Sequence, residues 1–155
     1  MTNTAASFVD VVAPLLTWLR DRPITTNLAA DLERAFPPDG PAFAAIERAC
    51  NDGLAAGWLG TRGEPNLRWG RIVKPSPASN DFSIDVVSME NVAGPHHAHP
   101  NGEIDMVIPL DATATFDGHG RGWVVYAPGS AHQPTVSNGR AIVLYALPAG
   151  AIAFT

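Results

Sequence analysis

The chain is poor in the residues that mark several protein classes. It has one cysteine, Cys50, among 155 residues. No disulfide can close within it, and a reducing compartment, the cytoplasm, is the expected setting. It has one lysine, Lys74, and ten basic residues in all against fifteen acids, giving a net charge of −5. No basic stripe is available to follow a phosphate backbone or an anionic membrane, so nucleic acid and lipid surfaces are excluded as partners. Charged residues make up only 16% of the chain and hydrophobic ones 46%, which argues against disorder and for a sizeable core. No apolar run approaches the roughly 20 residues that span a bilayer, and the N-terminus shows no basic segment of a secretory signal. A soluble cytoplasmic protein is expected.

What is present divides near residue 60. Residues 4–20 carry Phe8, Val12, Leu15, Leu16 and Leu19 at helical spacing, before Arg22-Pro23 stops the run. A second helix is expected after Asn27 as its cap, with Leu28, Leu32 and Phe36 inward and Pro37-Pro38 as terminator. A third opens with proline at its first position, Pro41, and runs through Phe43, Ile46, Cys50 and Leu54 to Gly57. Cys50 falls on that apolar stripe and reads as a small core residue. Residues 1–60 hold four arginines against seven acids, the wrong sign for a helix-turn-helix reader of DNA. A helical region of residues 1–60 packed on a β domain of residues 61–155 is expected.

After Gly60, turn residues punctuate the chain about every ten positions. Strands are expected at 67–74, 82–90, 96–99, 103–110, 113–117, 122–127, 132–136 and 140–147, with a further one at 151–154. Turns are expected at Asn80-Asp81, Asn101-Gly102, 117–120, Pro128-Gly129 and 137–139. Many short strands in so few residues imply an antiparallel barrel or sandwich.

The chemistry concentrates in residues 94–103. On a strand, His97 and His99 share a face, because side chains alternate with period two. Asn101-Gly102 is a tight-turn signal that returns the chain, so Glu103 opens the next strand. His132, beyond Pro128-Gly129, supplies a further imidazole. Neutral imidazoles with a carboxylate suit a divalent transition metal, Fe, Mn, Ni or Zn, better than calcium or magnesium. His96 points away from that face, and His119 sits in a Gly-His-Gly turn that could reach the mouth of a barrel. Asp105 shares Glu103's face. It is a candidate acid–base carboxylate with Glu103, or a group that orients a ligand histidine. A carboxylate-bearing substrate needs a cation, for which Arg71 and Arg68 are the candidates, only one of them facing inward. Trp69 and Trp123 could stack on a ring.

These residues resemble the two motifs of the cupin superfamily. His97-Ala98-His99 followed by Glu103 matches the ligand core of the first motif. Gly122, Pro128-Gly129 and His132 match the second apart from one deletion. Leu110 and Val136 stand where the motifs end in glycine and asparagine. Over residues 99–111, 116–135 and 139–154 the chain is similar to the 4-hydroxylaminobenzoate lyase family of cupins, which also carries a helical N-terminal region.

The resemblance implies a small antiparallel cupin barrel, a double-stranded β-helix, with an N-terminal three-helix region. It implies His97, His99, Glu103 and His132 as metal ligands. By residue type and position, Glu103 and Asp105 are candidate catalytic groups, with Arg71, Trp69 and His119 as candidates around an aromatic acid. The implied reaction converts 4-hydroxylaminobenzoate to 3,4-dihydroxybenzoate and ammonia, and a homodimer is expected because cupin barrels commonly pair. The alternatives are another metal-dependent cupin enzyme, a dioxygenase or isomerase of a small aromatic acid, and a cupin that binds a small molecule without turnover.

Overall fold

Three helices cover one face of a large β-sheet, and a smaller sheet closes the other side of the barrel. The computed structural model describes residues 3–155. Helix α1 (Ala5–Leu19) begins at a reciprocal cap, in which Thr4 Oγ1 accepts the Ser7 N–H and Ser7 Oγ accepts the Thr4 N–H. Its stripe of Phe8, Val12, Leu15, Leu16 and Leu19 is buried as its spacing requires. Helix α2 (Leu28–Ala35) does not use the expected Asn27 cap. Asn27 is already αR because Leu28 N–H closes a turn onto Thr25 O at 3.0 Å, so its side chain cannot reach the free amides of the first turn. Helix α3 (Pro41–Ala56) has proline in its first turn and ends at Gly57, whose φ of 86° places it in the left-handed region. No helix among the described residues is long and apolar enough to cross a membrane.

The strands, in chain order, are β1 (Arg62–Glu64), β2 (Leu67–Val73), β3 (Phe82–Ala93), β4 (His97–His99), β5 (Glu103–Pro109), β6 (Thr115–Phe116), β7 (Gly122–Tyr126), β8 (Ser130–His132), β9 (Thr135–Pro148) and β10 (Ala153–Phe154). The larger sheet runs β1-β2-β3-β9-β5-β7, with β6 also on β9. The smaller sheet is β10-β4-β8. Every ladder is antiparallel, and the arrangement is the double-stranded β-helix of a cupin barrel.

Alternation along the large sheet sorts its side chains into two buried layers. Ile84, Val86, Ile104, Met106, Ile142 and Leu144 point outward and merge with the helix stripes into one cluster. Val87, Met89, Val107, Val143, Tyr145 and Leu147 point into the barrel. Because helices cover the outer face, these strands read as continuous apolar runs instead of alternating ones. Trp123 belongs to the outer layer. Its indole packs against Phe36 and Phe43, with ring centroids 6.2 and 5.9 Å away, and its Nε1–H donates to Phe36 O at 2.9 Å. That placement corrects the expectation that Trp123 could stack on a bound ring.

Two further differences concern strand ends. Residues 132–136 and 140–147 are not separate strands; from Thr135 to Pro148 they form one, β9. The expected turn at 137–139 is instead a bulge. Asn138 and Gly139 take positive φ, and Asn91 on β3 stands alone opposite them, its Oδ1 accepting the Gly139 N–H at 3.1 Å. The same left-handed chemistry serves a bulge as well as a turn. Strand β1, which the sequence did not reveal, is a short exposed run returning through Pro65-Asn66.

Candidate active site

Strand β4 puts His97 and His99 on one face with Ala98 between them, and both imidazoles are buried. Gly102, at φ 91°, makes the tight return that brings Glu103 to the head of β5. A Cβ there would stand 2.6 Å from Ile24 Cγ2 and 3.1 Å from Tyr126 O, so only glycine fits. Strand β8 pairs with β4 in the register His97↔His132 and His99↔Ser130. Four donor atoms thereby converge within 4.8 Å of one another, from His97, His99, Glu103 and His132.

The separations fit a metal's ligand shell. His97 Nε2 is 3.2 Å from Glu103 Oε1, while His99 Nε2 and His132 Nε2 each lie 3.3 Å from Glu103 Oε2. His132 Nε2 and His97 Nε2 are 3.1 Å apart. Ligands roughly 2.0–2.1 Å from a shared cation stand about 3.0–3.4 Å from one another. His99 Nε2 and Glu103 Oε2 are sealed from solvent without a hydrogen-bond partner, a state that costs about 1–3 kcal/mol per group unless something else satisfies it.

Each imidazole is also held from behind. His97 Nδ1 lies 3.2 Å from Pro95 O, His99 Nδ1 2.9 Å from Ser130 Oγ, and His132 Nδ1 2.6 Å from Asp117 Oδ2. The back nitrogens of His97 and His132 face acceptors, so in the neutral ring the proton sits on Nδ1 and the Nε2 lone pair points into the cluster. Asp117 also accepts Tyr126 O–H at 2.5 Å and the Thr135 N–H at 2.9 Å. Sequence reasoning missed Asp117. Its signal was an aspartate at the mouth of a Gly-rich turn, which ordinarily reads as turn chemistry alone.

Burial pushes the Glu103 carboxyl up, but its contacts with His132, His97 and His99 outweigh that and hold it well below the usual carboxylate range. Asp105 goes the other way. Complete burial, followed by the charge of Glu103, pushes it well above that range. Asp105 lies against Glu103, and it bonds none of the three histidines. Burial lowers the affinity of His132 for a proton, yet the hydrogen bonds to Asp117 and Glu103 prevail and raise its pKa to about 9. Asp117, although partly buried, is held low by His132, Tyr126 and the Thr135 amide.

Beside this cluster lies a cavity of about 320 Å³, reached past His97 and walled by Trp69, Arg71, Val87, Tyr145 and Phe154 among others. Register resolves the two arginines. Arg71 faces the cavity, and Arg68, on the opposite face of β2, donates to Gly60 O at 2.9 Å. Arg71 already carries an ion pair, its Nε donating to Asp85 Oδ1 at 2.8 Å. Trp69 lines the mouth and is 44% exposed. His119 is exposed on its turn, pairing by backbone with Phe116, and is not part of the cavity wall. Its turn holds it outside because Asp117, not His119, is the side chain drawn inward. His96 is likewise exposed and bonded to Thr155.

Comparison with known proteins identifies the family and the fold. Residues 10–154 match the model of the PnbB 4-hydroxylaminobenzoate lyase family. The chain belongs to that family. It is 32% identical to the 4-hydroxylaminobenzoate lyase of Pseudomonas putida, over 98% of this chain and 96% of that one. To the 4-hydroxylaminobenzoate lyase of Nocardioides sp. (strain LMS-CY) it is 33% identical, over 98% and 95%. Among solved structures, the DMSP lyase DddQ of Ruegeria pomeroyi DSS-3 superposes with a TM-score of 0.54 over 98% of both chains at 17% identity, a likeness of fold. As a member of the 4-hydroxylaminobenzoate lyase family the protein is an enzyme, and the alternative of a binding cupin without turnover falls away.

Proposed function

We propose that the enzyme converts 4-hydroxylaminobenzoate and water to 3,4-dihydroxybenzoate and ammonia. The observation that carries this reading is the intact four-donor cluster opening through His97 onto an apolar cavity, in a chain of this family. The reaction balances with water as the only co-reactant. Breaking the N–O bond supplies the oxidation that the ring carbon undergoes, so no outside oxidant is needed.

His97, His99, Glu103 and His132 would hold a divalent transition metal, which when bound would act as a Lewis acid toward an oxygen atom or lower the pKa of a water. The protein's own groups supply the rest. Arg71 offers N–H groups to the ring carboxylate, with Asp85 fixing the guanidinium plane. Trp69 and Val87 bracket the ring. Departure of the hydroxylamino oxygen calls for a proton, addition of water beside the nitrogen calls for a base, and hydrolysis of the resulting imine uses a second water. Glu103 remains ionised, and Asp105 keeps its proton behind it, so a proton from Asp105 reaches the site only through Glu103. The largely apolar walls offer few partners to water, which limits attack on the electron-poor ring by stray nucleophiles.

Incubating purified protein with 4-hydroxylaminobenzoate, after loading with Fe, Mn, Ni or Zn, tests the reading. Ammonia and 3,4-dihydroxybenzoate appear in equal amounts if it is right. Absence of both under every metal regime removes it.

A further inference from the structure

One row of polar side chains crosses the inner face of the large sheet. Arg71 on β2 is in register with Asp85 on β3, Asp85 with Tyr145 on β9, and Tyr145 with Asp105 on β5. Strands in a sheet lie about 4.8 Å apart and residues in register point the same way. The row therefore leads from the cavity mouth toward the four-donor cluster. Arg71 and Asp85 satisfy one another, and Asp105 is sealed beneath Glu103.

Tyr145 is different. It lines the cavity and keeps 5% of its surface accessible. Its ring is fixed between His97 and Phe116, with centroids at 6.3 and 6.2 Å. Among the described residues no group bonds its hydroxyl, which is not sealed from the cavity and is free to meet a ligand there. The other tyrosine of the site, Tyr126, has a partner in Asp117. Burial, then the charges of Asp105, Glu103 and Asp117, push the Tyr145 phenol well above its usual range. It stays protonated and acts as a donor. A ring whose carboxylate meets Arg71 carries its para substituent along the row toward Tyr145 and His97.

We propose that Tyr145 donates a hydrogen bond to the hydroxylamino oxygen of the substrate, and so selects a benzoate bearing a para N–OH group over the corresponding amine. No proton is transferred in this contact; the hydrogen bond orients the oxygen beside the four-donor cluster. The inference rests on the proposed substrate class.

Two unreactive ligands test it without turnover. 4-(Hydroxymethyl)benzoate keeps an oxygen where the N–OH oxygen lies, and 4-methylbenzoate lacks it. Dissociation constants are measured for both on the wild type and on Tyr145→Phe, each loaded with the same metal. The wild type binds the hydroxymethyl acid ~10-fold more tightly, whereas Tyr145→Phe shows no preference and binds 4-methylbenzoate within about twofold of the wild type. The variant also loses roughly 10- to 100-fold in kcat/KM with unchanged metal content and melting temperature. A preference that survives in Tyr145→Phe overturns the proposal, as does a wild type that binds both acids equally. A wild type that binds neither acid and makes no product removes the substrate reading itself, and this inference with it.

Discussion

Replacing Asp117 by asparagine isolates the group that holds the most exposed histidine of the cluster. Three donors converge on its carboxylate: His132 Nδ1–H at 2.6 Å and Tyr126 O–H at 2.5 Å on Oδ2, and the Thr135 N–H at 2.9 Å on Oδ1. Asparagine offers one acceptor oxygen and turns an N–H pair toward whatever occupied the other. If its oxygen stays with His132, its amide faces the Thr135 N–H; if it flips, His132 loses its acceptor. At least one donor is left unpaired at a partly buried position, a cost of about 1–3 kcal/mol in stability. Loss of such a group behind a ligand histidine weakens metal affinity by roughly 10- to 100-fold. The assay is titration of metal-free protein with cobalt(II), following its visible absorption against a competing chelator. His119→Ala, two residues away on the same turn, serves as control and leaves affinity unchanged. An Asp117→Asn affinity within twofold of the wild type refutes the argument that Asp117 fixes the His132 tautomer.

Other outcomes follow from the same contacts. In metal-free protein the raised pKa of His132 stabilises the fold fully below its unfolded value near 6.5 and is lost as pH rises through about 9. Chemical denaturation should therefore show stability falling by about 1–2 kcal/mol between those pH values, solvent screening reducing the full linkage value, and a flat profile contradicts the assignment. Asp105→Asn should lower kcat by ~100-fold or more while metal content stays intact, because Asp105 bonds none of the three histidines and the amide keeps the contact with Glu103; loss of metal would point to a supporting role instead. Arg71→Ala should raise KM for 4-hydroxylaminobenzoate roughly 10-fold or more with kcat little changed. An unchanged KM means that the carboxylate is bound elsewhere. Phe43 is fully buried and edge-on to Trp123, so Phe43→Ala should cost about 3–5 kcal/mol. Its thermal midpoint should drop by roughly 10 °C or more, and a smaller change means that the helix layer contributes little to the core.

Some of this protein was decided within a few residues at a time. The period of two in His97-Ala98-His99, the positive φ that Gly102 alone accepts, and the Pro41 and Gly57 boundaries of α3 depend on backbone sterics. They are legible because the interacting atoms are neighbours in the chain. The same holds for the stripe of α1 and for Glu103 entering the cluster after a turn. Residues 137–139 mark where that reach ends. A local sequence that permits positive φ does not say whether the chain reverses or bulges, and β9 continues only because β3, β5 and β6 are there to pair with it.

Tertiary structure decided the rest. Which of Arg68 and Arg71 faces the cavity depends on the register of β2 against β3, a choice between two faces that local propensity leaves equal. Trp123 was drawn to the outer layer because helices cover that face, and an aromatic residue on a strand gives no sign of which side will be covered. Asp117 reads alone as a turn residue. It becomes the support of His132 only when β6 and β8 bring positions fifteen residues apart within hydrogen-bond distance. The sequence by itself determined the four-donor cluster through alternation and turn sterics, and the kind of barrel through its resemblance to the cupin motifs. Only the folded chain determined what stands behind those ligands and beside them, because hydrogen bonds and cavity walls form between residues that no local rule connects.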